Sequence, residues 1–223
     1  MFIGHFAPAL LARGITEDAP KLGVLFIAAQ LVDWAFFTFA IFGIEQLRIV
    51  PGITAMNPYD LVFMPYSHSL LATAGWALVF GVVVGVVLRN MVAAAWGAIV
   101  VLSHWLLDLL VHRPDLTIAG GEEKYGLGLW NTPHIEMPLE IGLVLLAYWF
   151  YISRTKGPVI PPLILLAAML LFQAINWFGP QPETAGVGMY LSVFLSYGIL
   201  TAMAFWVQST RWHKNQRGLA VAG

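Results

Sequence analysis

His104, Asp108 and His112 are spaced four residues apart inside an otherwise apolar run of Trp, Leu and Val. Residues four apart share one face of a helix, so this spacing predicts a stripe of imidazole, carboxylate and imidazole. At membrane depth such a stripe is costly unless it is paired or faces a polar cavity, and ionisable groups there are functional candidates by default. Histidine and aspartate together suit a divalent metal ion or a proton relay.

Other polar groups interrupt apolar stretches in the same half of the chain. They are His5 in Gly4-His5, Asp33 beside Trp34, and His68 in Pro65-Tyr66-Ser67-His68-Ser69. His5, His68, His104, Asp33 and Asp108 form a donor set for a first-row divalent ion, zinc above manganese or iron. Each also has an ordinary role. His5 can be a packing residue, and Asp33 a helix-packing hydrogen bonder or a relay group. His68 lies between two serines that suit a helix N-cap. His112, next to Arg113, stands behind the ligands as an assisting group. Glu140 reads equally as a general base or as an acid favoured near a helix N-terminus. His134 is expected in a loop and His213 at the headgroups in a basic tail. The run Gly126-Leu127-Gly128-Leu129-Trp130-Asn131 suggests a covering loop; with no Lys-Ser/Thr after it and no strand before it, it is not a phosphate loop.

Composition sets the environment. Of 223 residues 59% are hydrophobic and 10% charged, with a mean hydropathy of +0.78. Soluble domains carry about 25% charged residues, so this is a polytopic membrane protein. A net charge of -1 with scattered Lys and Arg excludes a nucleic-acid surface. The absence of cysteine excludes disulfides, thiolate metal sites and cysteine nucleophiles. The N-terminus lacks a basic stretch before its apolar run, so no cleavable signal peptide is expected.

These residues need an all-α scaffold: a polytopic membrane helical bundle in one integral membrane domain, residues 1–223. Met1 to Leu11 is too short to span and predicts a half-helix ended by Arg13-Gly14. Six spans are expected, at about Leu22–Ile44, Ser69–Leu88, Met91–Val111, Pro138–Ile152, Val159–Phe178 and Val187–Val207. Glu45–Ser67 and Arg113–Met137 read as loops. Arg13, Lys21, Arg89, Arg154, Lys156, Arg211, Lys214 and Arg217 then fall on one side, which makes both ends of the six-span unit cytoplasmic. His68, the stripe and Glu140 lie toward the outer side, Asp33 lies mid-membrane, and a half-helix folding back brings His5 to its level. The five metal candidates are thus expected to meet in one cavity open outward. Ala72, Ala74, Gly75, Gly81 and Gly85 allow close helix contact within or between subunits, leaving a homo-oligomer open.

At these residues the chain resembles the membrane-bound metal-dependent hydrolases, the LexA-regulated inner-membrane family of bacteria. The pieces are Gly4-His5, Asp33, Ser67-His68-Ser69, and Ser103-His104 with Asp108. They cover about the first half of the chain in the family's order. The resemblance implies a divalent-metal site at His5, Asp33, His68, His104 and Asp108, hydrolase activity, and a fold like the helices of zinc phospholipase C. Two departures remove ligands for a second metal. Phe63-Met64-Pro65-Tyr66 replaces the usual His-Arg, and Asp33-Trp34 stands for a paired acidic motif.

Three readings follow. In the first, a membrane-embedded hydrolase acts on a lipid-like ester or phosphoester, with Glu140 or His112 assisting. In the second, a transporter or permease uses the same groups to pass protons or a metal ion, although no inverted repeat is evident. In the third, the polar groups only lock helices together, a costly use of five ionisable residues.

Overall fold

The computed structural model describes residues 1–214. It is an all-α bundle in which six helices are long and apolar enough to cross a membrane, so the chain is an integral membrane protein. The N-terminus is a 3-10 turn, Ile3–Phe6, that runs into α1, Ala7–Ile15. Pro8 suits this first turn because its missing amide has no partner to lose there. The helix continues past Arg13-Gly14, where a stop was expected. The Arg13 guanidinium finds the carbonyls of Glu17 and Ala19, and Gly14 is a site of close approach. A Cβ there would meet the Phe150 ring at 2.8 Å.

The spans are α2 (Leu22–Ile41), α3 (Leu70–Leu88), α4 (Met91–Val111), α5 (Pro133–Arg154), α6 (Ile160–Phe178) and α7 (Val187–Thr210). Ser69 caps α3 by accepting from the Ala72 amide, and Asn90 caps α4 by accepting from Val92 and Ala93. The α3–α4 hairpin is close-packed: a Cβ on Gly81 would meet the Ala94 carbonyl at 3.1 Å, and one on Gly85 the Ala94 side chain at 3.0 Å. Gly75, by contrast, has open space.

Several expectations are corrected. The fourth span starts at Pro133, not Pro138. Pro133 sits in the opening turn, while Pro138 lies inside the helix and costs it one backbone hydrogen bond. His134 is therefore an exposed residue of the first turn of α5 rather than of a loop. The segment Glu45–Ser67 holds an antiparallel hairpin, β1 (Gln46–Ile49) with β2 (Tyr59–Phe63), whose Leu47 and Leu61 point into the core. The tail is not free at the headgroups. β3 (Thr155–Lys156) pairs with β4 (Trp212–His213), and buried His213 faces the Gly14 carbonyl at 3.2 Å. Arg211 is buried too, donating to Thr155, Gly157 and Pro158. Arg217 lies outside the described residues.

α2 is central, packed against α7, α4 and α1, while α5 packs on α1. The 3-10 turn lies among α1, α2, α4, α5 and α6, so the half-helix fills the middle of the bundle. The loop after α4 is stapled to its end: Leu127 N donates to Leu109 O at 2.8 Å and Gly128 N to His112 O at 2.7 Å. These bonds satisfy carbonyls that a helix terminus leaves open. At Gly126 a Cβ would collide with the backbone of His112 and Arg113, which cannot move aside as a side chain can. Gly126→Ala is expected to lower stability by about 1–3 kcal/mol, read as a fall in the thermal midpoint in detergent; an unchanged midpoint would show that the loop is not held this way.

Candidate metal centre

Asp108 is the hub. It lies on α4, buried at 2% exposure. Its Oδ1 is 3.0 Å from His5 Nε2, 3.0 Å from the Met1 amine and 3.4 Å from His112 Nε2. Its Oδ2 is 3.1 Å from His104 Nε2 and 3.7 Å from His68 Nε2. Asp33, from the middle of α2, brings its Oδ1 to 3.3 Å from His68 Nε2 and 3.6 Å from His104 Nε2. Its other oxygen accepts from the Tyr197 hydroxyl on α7 at 2.7 Å. The structure thus brings together all five residues that the sequence proposed as ligands, with His112 beside them.

Three histidines, His104, His68 and His112, are oriented from behind, whereas His5 Nδ1 is buried without a hydrogen bond. His104 Nδ1 lies 2.8 Å from the Ala29 carbonyl, which can only accept, so Nδ1 carries a proton and Nε2 is the atom turned toward the carboxylates. Ser67 Oγ donates to Glu45 Oε2 at 2.5 Å and is 2.8 Å from His68 Nδ1, which fixes His68 the same way. His112 Nδ1 meets Asp115 Oδ1 at 2.9 Å. An outer partner on one ring nitrogen and a free inner nitrogen is the arrangement that metal-binding histidines use. The His5 ring stacks on that of His104, with centroids 3.7 Å apart.

The donor set fits a small divalent ion. Ligand atoms in a tetrahedral shell at about 2.1 Å from the ion lie roughly 3.4 Å from one another. The contacts of His68 and His104 with Asp33 and Asp108 span 3.1 to 3.7 Å. His104 Nε2 is buried and makes no hydrogen bond despite its two carboxylate neighbours. Two overlapping triads, His5-His104-Asp108 and Asp33-His68-His104, have ligand atoms within 4.8 Å of one another.

Glu140 is committed elsewhere. Its Oε1 accepts from Phe2 N at 2.7 Å and Gly4 N at 2.9 Å, and its Oε2 from Gln173 Nε2 at 2.9 Å. It ties α5 to α6 and to the turn that carries His5. Sequence reasoning missed Glu45, Asp115, Glu136 and Tyr197. Asp115 has a local signal, three residues after His112. Glu136 has one too, four before Glu140 on one helix face, once α5 is known to start at Pro133. Glu45 and Tyr197 have none, because only tertiary packing brings them in.

A cavity of about 380 Å³ reaches Asp33, His68, Asp108 and His112 from the end of the bundle that carries the β1–β2 hairpin. Trp130, on the covering loop, lies 4.2 Å from His112, centroid to centroid. Burial pushes the Tyr59 hydroxyl above its ordinary pKa, so it lines the wall as a neutral group. Compared with family models, with curated proteins and with solved structures, the chain gives no match.

Proposed function

We propose that this protein is a membrane-embedded, metal-dependent hydrolase of a lipid-like ester or phosphoester, as its resemblance to the bacterial inner-membrane hydrolases implies. The observation that carries the proposal is His104. Its outer nitrogen is spent on a carbonyl, and its inner nitrogen faces carboxylate oxygens of Asp108 and Asp33 at 3.1 and 3.6 Å, the spacing of neighbouring ligands around one ion. His5, Asp33, His68, His104 and Asp108 would hold the ion, zinc first and manganese or iron next. Such an ion supplies Lewis acidity and an activated water near neutral pH. Asp115 orients His112 so that its Nε2 faces the cluster, placed for proton transfer. Glu140 positions His5 through the amides of Phe2 and Gly4.

A transport pathway would need polar groups that continue past Asp33. Among the described residues the one buried polar side chain on α2 before Asp33 is Gln30, and Phe26, Val100 and Leu200 are apolar at 0% exposure, which favours a dead-end site. The basic turns at the opposite end support an inner-membrane orientation with the cluster facing outward.

The test is the metal content of detergent-purified protein, with His104→Ala beside wild type. Near-stoichiometric zinc or manganese that is lost in the variant is expected. No metal in wild type after reconstitution with both ions would sink the proposal.

A further inference from the structure

The cavity has a second polar wall that the metal ligands do not account for. Among the described residues the whole cavity is lined by four carboxylates, those of Asp33, Asp108, Glu136 and Glu140, and by no lysine or arginine; the Met1 amine, also in the lining, is paired with Asp108. Three of these carboxylates have partners: Asp33 meets Tyr197, Asp108 the Met1 amine and His5, and Glu140 two amides and Gln173. Glu136 is different. It is 1% exposed, it lines the cavity, its neighbour on α5 is another carboxylate, Glu140, and its Oε2 accepts no hydrogen bond. A buried carboxylate oxygen without a donor is costly, and a cationic N–H group supplied by a ligand removes that cost.

The surroundings say what kind of cation. Tyr59, Trp130 and Trp177 line the same cavity, and aromatic faces favour positive charge. Phe37, Phe172 and Ile175 supply apolar wall on α2 and α6. Ile175, Asn176, Gln181 and Ser192 are exposed, which places an edge of the cavity at the α6–α7 junction. The occupant therefore needs an ammonium group and an apolar chain. An anionic headgroup without an amine has no cationic donor to offer Glu136 Oε2. A quaternary ammonium has charge but no proton to give Glu136 Oε2.

We infer that the cavity binds a zwitterionic lipid with a primary ammonium headgroup of the ethanolamine type, its ammonium seated on Glu136 and its chain along the α6 wall. The inference rests on reading this cavity as the substrate site of the proposed hydrolase. It names the class of substrate.

The experiment is native mass spectrometry of zinc-treated, detergent-purified wild type and Glu136→Gln. Each is titrated with lysophosphatidylethanolamine, lysophosphatidylcholine and lysophosphatidylglycerol. Wild type is expected to bind the ethanolamine lipid about tenfold more tightly than either of the others, the size of one charge-assisted hydrogen bond. In Glu136→Gln the three are expected to fall within about twofold of one another, the residue of ordinary headgroup contacts. Helicity and zinc content should stay at wild-type levels. Equal binding of the three lipids by wild type overturns the inference, as does a preference that persists in the variant. Zinc measured on the same samples separates the two proposals. Headgroup preference without zinc overturns the metal reading alone, and zinc without preference overturns the substrate class alone.

Discussion

Asp108→Asn is expected to weaken zinc binding by more than about 100-fold, because losing a partner behind a ligand alone costs 10–100-fold. Asp108 is the one residue that every histidine of the cluster approaches: His5, His68, His104 and His112 lie 3.0 to 3.7 Å from it. Asparagine keeps the shape but loses the charge and turns one acceptor into a donor, which would face ring nitrogens from two sides. Without metal the same change leaves the buried Met1 amine without its counter-ion. Breaking a buried pair by removing one member costs about 3–5 kcal/mol, so the thermal midpoint should fall too. Competition with a chromophoric zinc chelator reads the affinity, and thermal unfolding in detergent reads the stability. If Asp108→Asn binds zinc like wild type, Asp108 is not a ligand. If wild type binds none and the variant is tolerated in every respect, the polar groups serve only to tie helices together.

The second large effect is predicted away from the ion. Glu45, at 1% exposure, accepts from the amides of Tyr66 and Ser67 at 2.8 and 3.0 Å and from the Ser67 hydroxyl at 2.5 Å. That hydroxyl holds His68 Nδ1. Glu45→Ala strands two amides and frees the His68 ring to rotate. Zinc affinity should fall 10–100-fold, the usual cost of removing such a support, and stability by about 1–3 kcal/mol for the orphaned donors. Glu45→Gln should be intermediate, since its oxygen still accepts while its NH₂ group opposes the Ser67 hydroxyl. Metal affinity distinguishes positioning from mere packing. A variant that is less stable but binds zinc as tightly as wild type would remove Glu45 from the support of His68.

The spans were readable because a bilayer demands about 20 apolar residues in succession, a signal carried by hydropathy alone. Met91–Val111 is α4 to the residue, and Ser69, one of the two serines suited to an N-cap, caps α3. Proline misled at the fourth span, where Pro138 is tolerated inside α5 and Pro133 is the true start. Glycine misled at the half-helix, where Gly14 serves the approach of α5 instead of a stop. Strands of four and five residues such as β1 and β2 leave too short a pattern to outweigh the Pro51, Gly52 and Pro58 between them.

The sequence by itself determined the six apolar spans and the pairing of His104 with Asp108, because span length and the helical period are local properties. Only the tertiary structure decided that Asp33 on α2 and His68 before α3 turn toward that pair, that His5 arrives on a 3-10 turn, and that Glu45, Asp115 and Tyr197 stand behind them. The physical reason is that α2 and α3 are apolar almost all the way round. In lipid, a uniformly apolar helix does not mark which face turns inward; small residues, polar partners and the close approach of neighbouring backbones decide it.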